Sequence, residues 1–510
     1  MIKSFLQKYP LFLLTIPLVF LINALNHYYK LLHLEYIIIK VILYLVIPVL
    51  LYILLSLTWK HHKKAGIVMF FLLLIFYFFS LLYDWLKSFQ APGIIASYKS
   101  LLLLLTAGLI ALVLYLRKKQ GNFNTFYYTA NLIFIFLLLG GIIQYVILGA
   151  TNAGLKNDQG DPHKLLSKQY KPCDTCQKPD IYFIVLDSYT NSKTLSSEFG
   201  YSNLFIDSFL LRKNFFLSAN SKSNYNFTHM SIASELNMAY LNNLQSDHVF
   251  YTKDFLQSNY TIANSELIDI LYKQGYTIAN YSNFKLKDAP VRVTPYLTEL
   301  TWRSVPGQTF FNKAARDIGW NFDKYLPKKG ISNSRRKEIE DDAERIKEVF
   351  NGLIGSAKNP AAKPQFTYAH FLLPHETYLF DSSGKRLDIS YTAAAWMNNK
   401  KDYLNQLVYV NRFIIAPAID SIFSNARRPF IIILQSDHGY RNYSPEKVNL
   451  EFENLNAIYF PDNDYSTLYD SISSVNTFRI VLNKYFNQQL PLLNDSTINL
   501  YKKRTLDSGE

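Results

Sequence analysis

The sequence predicts an α-helical membrane domain of five spans joined to an α/β domain with a mostly parallel central sheet. Three observations carry that expectation. Residues 1–150 hold five long apolar runs. Beyond residue 179, strand-like and helix-like segments alternate, the pattern of a parallel sheet with crossover helices. Two of the strand-like segments, 180–187 and 430–437, are almost wholly apolar and close on an acidic residue. Such a strand is buried on both faces and carries its carboxylate to the end of the sheet, where open α/β folds bind ligands.

The apolar runs lie near 11–29, 35–59, 66–86, 98–116 and 126–148. Each meets or approaches the roughly 20 residues needed to cross a bilayer as a helix. No small-residue cleavage site follows the first run and four more spans do, so it reads as a span rather than a removable signal peptide. Residues 1–150 carry 12 Lys/Arg and 2 Asp/Glu, against 41 and 37 in the remainder. The cations cluster in alternate loops: Lys3 and Lys8, then Lys60, Lys63 and Lys64, then Arg117, Lys118 and Lys119. Positive loops stay in the cytoplasm. Five spans with the N-terminus inside therefore place everything after about residue 150 outside the cytoplasmic membrane. The net charge of +14 thus belongs mostly to membrane loops and argues against a nucleic-acid partner. Arg335-Arg336-Lys337 reads as a solvated helix face.

Residues 151–178 are polar, lack periodicity and read as a linker. The only cysteines, Cys173 and Cys176, lie in it. Two thiolates are too few for a structural zinc, and no strand precedes the pair as in a redox motif. A local disulfide in an oxidising compartment is the simpler reading. In residues 179–510, strands are expected at 180–187, 276–281, 366–373, 430–435 and 455–460. Helices are expected at 194–213, 228–240, 264–274, 334–354, 399–424 and 474–486. The stretch 285–333 follows neither period and is read as an insertion, possible cover for a site left open.

Four elements carry chemistry: Asp187 at the end of Asp-Ile-Tyr-Phe-Ile-Val-Leu-Asp; Asn224 through Thr228, a polar loop running into a helix; His370-Phe-Leu-Leu-Pro-His375; and Ser436-Asp437-His438-Gly439. Each residue has an ordinary structural reading when taken singly. Thr228 is a good helix N-cap, Asp187 a strand-end cap, Asn224 an Asx-type turn. His370 suits a satisfied core histidine and His375 a loop. Two carboxylates and a histidine converging on one sheet end can also hold a divalent cation.

That ordered set resembles the alkaline phosphatase/sulfatase superfamily. More narrowly it is similar to the membrane-anchored branch that includes phosphoethanolamine transferases and lipoteichoic acid synthase, which also have five N-terminal spans before an extracytoplasmic sulfatase-like domain. The strings Asn456-Ala-Ile-Tyr-Phe-Pro and Val475-Asn-Thr-Phe-Arg479 resemble the ends of such domains. The resemblance implies Asp187, Thr228, Asp437 and His438 as metal ligands, with Thr228 also the nucleophile. It implies His375 as a catalytic and substrate-binding histidine, with Asn224 and His370 beside the substrate. The branch commonly has Glu where this chain has Asp187. Two-zinc members use a histidine downstream, and no histidine follows His438 here. One divalent ion is therefore expected, Mn²⁺ or Zn²⁺.

The implied activity is transfer of a phospholipid head group, phosphoethanolamine or phosphoglycerol, through a phospho-threonine. The donor is a membrane phospholipid and the acceptor an envelope glycan or glycolipid, at a bacterial cytoplasmic (inner) membrane. Two alternatives stay open: a hydrolase of phosphodiesterase or sulfatase type, and a non-catalytic membrane protein that binds envelope glycans. Sulfatases convert the Cys or Ser of Cys/Ser-x-Pro-x-Arg to formylglycine, whereas this chain has Thr228-His-Met-Ser-Ile.

Overall fold

The computed structural model describes residues 2–27, 38–88, 97–158, 165–241, 244–245, 248–250, 252–294, 309–310, 333–394, 399–441 and 443–502. Packing divides the chain into two units, one built on the N-terminal helices and one on the sheet.

The first unit contains helices Ile2–Lys8, Phe12–His27, Ile38–Trp59, His62–Ser88, Tyr98–Lys118 and Asn124–Asp158. Five of them match the five expected spans, and the short first helix meets the second at a bend of 92°. Leu54, Leu57, Leu103 and Phe136 are exposed along their outer faces, an arrangement stable in lipid rather than water. Inside, Phe12, Ile16, Phe20, Tyr77 and Phe134 pack together.

The bend frees backbone groups that no water in a bilayer would satisfy. Asn131 supplies the partners. Its Oδ1 accepts from the Phe12 N–H at 2.9 Å, and its Nδ2 donates to the Leu6 and Tyr9 carbonyls at 2.8 and 2.7 Å. Asn131→Leu should cost about 1–3 kcal/mol by orphaning these groups. A lowered thermal midpoint in detergent would show it, and an unchanged midpoint would show that the bend satisfies itself.

The second unit is built on a six-stranded sheet. Its strands are β1 (Asp180–Asp187), β2 (Phe216–Leu217), β4 (Thr277–Tyr281), β5 (Gln365–Pro374), β6 (Phe430–Ser436) and β7 (Asn456–Tyr459), in the order β2-β7-β6-β1-β5-β4. The pairs within β6-β1-β5-β4 are parallel, and β7 and β2 close one edge antiparallel. A separate parallel pair joins β3 (His248–Phe250) to β8 (Leu500–Lys502). All eight residues of β1 are buried. Tyr182, Ile184 and Leu186 face one core; Ile181, Phe183 and Val185 face the other. Period-two alternation between two apolar layers explains a strand with no polar face.

Helices Ser192–Phe199, Leu204–Arg212, Thr228–Asn237, Glu266–Lys273, Asn333–Lys358 and Ser474–Phe486 cover the sheet. Two expected helices need correction, and one helix was missed. The helix expected at 194–213 is two, because Gly200 ends the first in a left-handed cap at φ 62°. The helix expected at 399–424 is interrupted by a π-turn over Val410–Ile415. Pro417 follows that turn; it lacks an N–H and its ring crowds the carbonyl four residues back, which the wider turn relieves. Helix Thr252–Ala263 was not anticipated, its sequence being mostly polar. The whole 400–425 segment is apolar enough to cross a membrane. Its Leu407, Val410, Ile419 and Ile422 instead fill the core of the α/β unit.

The last membrane-unit helix continues to Asp158, into the expected linker, and Cys173 and Cys176 form a disulfide. Of the stretch 285–333, residues 295–308 and 311–332 lie outside the described residues. Phe310 belongs to the first unit, its ring edge-on to Phe79 at 5.0 Å.

Candidate active site

Parallel pairing of β6, β1 and β5 brings three sequence-distant ends to one edge. Leu186 pairs with Ser436, so Asp187 and Asp437 emerge side by side. On the other side the register shifts after Leu186, so that Asp187 lies opposite Pro374 and the His375 N–H donates to the Asp187 carbonyl at 3.2 Å. Ser188 turns left-handed, at φ 64°. That conformation costs of order 1–3 kcal/mol for a non-glycine residue. It aims the Ser188 N–H at Asp437 Oδ1, at 3.1 Å, while the Ser188 hydroxyl donates to Asp187 Oδ1 at 3.2 Å.

His438 is fully buried. Its Nδ1 lies 2.8 Å from the Gly439 carbonyl, which fixes the proton there and leaves Nε2 as a lone pair. That Nε2 is 3.3 Å from Thr228 Oγ1, 3.5 Å from Asp437 Oδ2 and 3.6 Å from Asp187 Oδ1. Burial, then the charge of Arg441, pushes the His438 imidazole down to about 3, so it is neutral at physiological pH. Thr228 is the first helical residue and Phe227 the N-cap, so the threonine hydroxyl is not spent on capping.

His370 lies behind this group, fully buried, with Nδ1 3.0 Å from the Tyr368 hydroxyl. Its ligand nitrogen lies within 4.8 Å of carboxylate oxygens of Asp187 and Asp437. Burial pushes it down to about 4, and Asp187 opposes that shift. Among the described residues, His370 Nε2 and Asp437 Oδ2 have no hydrogen-bond partner, and both are buried. Such atoms are costly in a fold unless something pairs with them. Carboxylate oxygens and neutral imidazole nitrogens converging on one point fit a divalent cation of borderline softness. Expected as a substrate contact, His370 has no exposed surface to offer a substrate, and a ring nitrogen lies near the two carboxylates instead.

Asn224 also departs from expectation. Its Oδ1 accepts from the Val475 N–H at 2.8 Å, and its Nδ2 donates to Tyr240 Oη and the Ser496 carbonyl, both at 3.0 Å. The amide is consumed in tying the Thr228 loop to the C-terminal segments. His375 does reach the site. Its Nδ1 donates to the Glu376 carbonyl, so Nε2 accepts from Arg441 Nη2 at 2.7 Å. Burial lowers its basicity, but the Asp187 and Glu376 carboxylates outweigh burial and leave it raised.

The sulfatase family model matches residues 212–481. The chain belongs to the sulfatase family. The match covers Thr228, His370, His375, Asp437 and His438 and begins downstream of Asp187. Among solved structures, the chain is similar to the integral membrane lipooligosaccharide phosphoethanolamine transferase A of Neisseria meningitidis. The two share 11% identity over 83% of this chain and 88% of that one, with a TM-score of 0.37. It is similar to the C-terminal periplasmic domain of EcEptC from Escherichia coli, at 13% identity over 65% and 91% with a TM-score of 0.37. It is also similar to a 2-O GAG sulfatase, at 13% identity over 66% and 75% with a TM-score of 0.34. No curated protein matches the chain.

This sulfatase-family enzyme has three site residues that its sequence did not announce. Ser188 depends on a left-handed turn. Arg441, two residues beyond Gly439, stands out only once His375 and Phe227 are placed beside it. Glu235, two turns along the helix from Thr228, is buried, and burial followed by the Asp437 charge holds it well above the carboxylate range. Gly439 has a steric reason. A Cβ there would meet the Glu453 carbonyl at 2.5 Å and the Leu450 carbonyl at 3.0 Å. Gly439→Ala should therefore cost about 1–3 kcal/mol and displace His438. Metal titration of that variant should show affinity weakened about tenfold or more. Wild-type affinity would mean that the 445–452 turn yields instead.

Proposed function

We propose that this enzyme transfers a phosphoryl-linked head group from a membrane phospholipid to an envelope glycan or glycolipid, through a covalent intermediate on Thr228. One observation supports this most. An uncapped threonine hydroxyl opens a helix 3.3 Å from the lone pair of a buried neutral histidine, between two carboxylates. The chain's membrane helices favour a lipid donor, since they confine the enzyme to a bilayer. The positive loops support a catalytic unit outside the cytoplasm.

Asp187, Asp437, His438 and Thr228 would hold a divalent cation, Mn²⁺ or Zn²⁺, with His370 on its inner side. When bound, the ion lowers the pKa of the threonine hydroxyl and polarises a phosphoryl oxygen. Ser188 and the His438 N–H fix Asp437, and Gly439 fixes the His438 tautomer. Thr228 Oγ1 forms a bond to phosphorus as the bond to the diacylglycerol oxygen breaks. The proton lost by threonine balances the one gained by diacylglycerol. An acceptor hydroxyl or phosphate then displaces Thr228 in the same way. The N-terminus of helix Thr228–Asn237 adds backbone donors toward the anion.

The test is intact mass of the full-length protein in detergent after incubation with phosphatidylethanolamine or phosphatidylglycerol and metal. A head-group adduct mapping to Thr228 supports the reading and names the donor. Metal bound without an adduct, together with head-group release into water, would make the enzyme a hydrolase.

A further inference from the structure

We infer that Arg441 is a phosphoryl clamp: its guanidinium grips the non-bridging oxygens of the group carried by Thr228. The inference rests on the transferase reading, and its test separates the two. Arg441 lies on the loop after β6. Its guanidinium carbon is 5.0 Å from the centre of the Phe227 ring, and Phe227 is bonded directly to Thr228. A cation resting on that ring is held beside the nucleophile. One edge is fixed by the hydrogen bond from Nη2 to His375 Nε2 at 2.7 Å. In the neutral imidazole that bond runs from Arg441 to the Nε2 lone pair, because the Nδ1 proton goes to the Glu376 carbonyl.

A guanidinium has five N–H donors. Among the described residues Arg441 spends one on a hydrogen bond, to His375, and forms no ion pair with a carboxylate within 4.0 Å. Yet its charge is felt at Asp437, His438 and Glu451, which places it in the site's field. A partly buried, oriented cation with unspent donors is suited to an anion that arrives with the substrate. A phosphodiester on Thr228 carries one negative charge shared by two non-bridging oxygens. The arginine fork matches that pair bidentately, whereas an ammonium offers only a point charge. His375 then acts as a positioning residue that sets the fork. This assigns His375 a role its sequence context did not suggest: with Nε2 engaged by Arg441 it is not arranged to protonate a leaving group.

The experiment uses full-length protein in detergent, loaded with Mn²⁺ or Zn²⁺, with Arg441→Gln and Arg441→Lys. Three quantities are read: metal content by elemental analysis, affinity for inorganic phosphate by calorimetry, and the rate of adduct formation on Thr228. We expect full metal content in both variants. Phosphate affinity should fall at least about tenfold in Arg441→Gln, and adduct formation about 100-fold or more. Arg441→Lys should recover part of the phosphate affinity and little of the rate. His375→Ala should weaken phosphate less than Arg441→Gln does, because it frees the fork without removing it. Wild-type phosphate affinity in metal-replete Arg441→Gln would overturn the clamp while leaving the transferase reading intact. No adduct in wild type, with phosphate binding still dependent on Arg441, would overturn the transferase and keep the clamp. Should Arg441→Gln lose its metal, Arg441→Lys decides: wild-type phosphate affinity and rate in that variant would overturn the fork.

Discussion

Thr228→Ala is expected to lower turnover by about 1,000-fold or more and to remove the covalent adduct altogether. Metal should remain bound, because Asp187, Asp437 and His438 keep their ligand atoms without the threonine. The same variant should fold, since Thr228 is the first residue of its helix and its hydroxyl caps nothing. Thr228→Ser restores an oxygen at the same place and should recover adduct formation in part, slowed by the freer rotation of an unbranched side chain. The serine variant therefore separates chemistry from folding. Thr228→Ala protein that binds metal, shows the wild-type unfolding midpoint and still forms an adduct would be decisive against the proposed nucleophile.

What the sequence revealed about this site follows from range. Asp187 and Asp437 were legible because each ends a continuous apolar run, and parallel pairing does the rest: strands that start together deliver their last residues together. His438 followed from its neighbour. The residues that eluded sequence reasoning act through partners far away in the chain. Arg441 acquires its meaning from Phe227 and His375, and Asn224 loses its expected one to Val475 and Ser496. Neither relation leaves a local pattern. Ser188 needed a positive φ that no glycine advertised. Pro417 was visible in the sequence and could have predicted the interruption of its helix; the apolar period around it, running through Leu407 and Ile419, argued more strongly for continuity. That same period gives 400–425 the hydropathy of a membrane span, and burial within the α/β core, not composition, assigns it correctly.

Asp437→Asn is expected to move stability and metal binding in opposite directions. Burial holds the Asp437 carboxyl above the ordinary range, against the opposing donors Thr228, Ser188, His438 and the charge of Arg441. A folded-state value above the unfolded one means that the folded protein holds the proton more tightly. The stability contributed is present at low pH and lost as pH rises through the folded value, in a window opening above the ordinary aspartate value of about 4. His370, His438 and His229, all pushed down by burial, act the other way: the unfolded chain takes up their protons below about pH 6.5, which weakens the folded protein as pH falls. The Asp437 contribution is therefore read from the difference between wild type and Asp437→Asn at each pH, in which the histidine contributions cancel. Asparagine has no charge to bury and keeps an oxygen for the Ser188 and His438 donors. In EDTA at neutral pH its midpoint should equal or exceed that of wild type. Added Mn²⁺ or Zn²⁺ should reverse the order, because wild type gains about 2.7 kcal/mol at a hundredfold excess over Kd and the amide variant gains little. Thermal unfolding of both proteins, with chelator and with metal, reads all four conditions. If metal raised the Asp437→Asn midpoint as far as that of wild type, the cation would be held without Asp437 and the site would have to be rebuilt around other ligands.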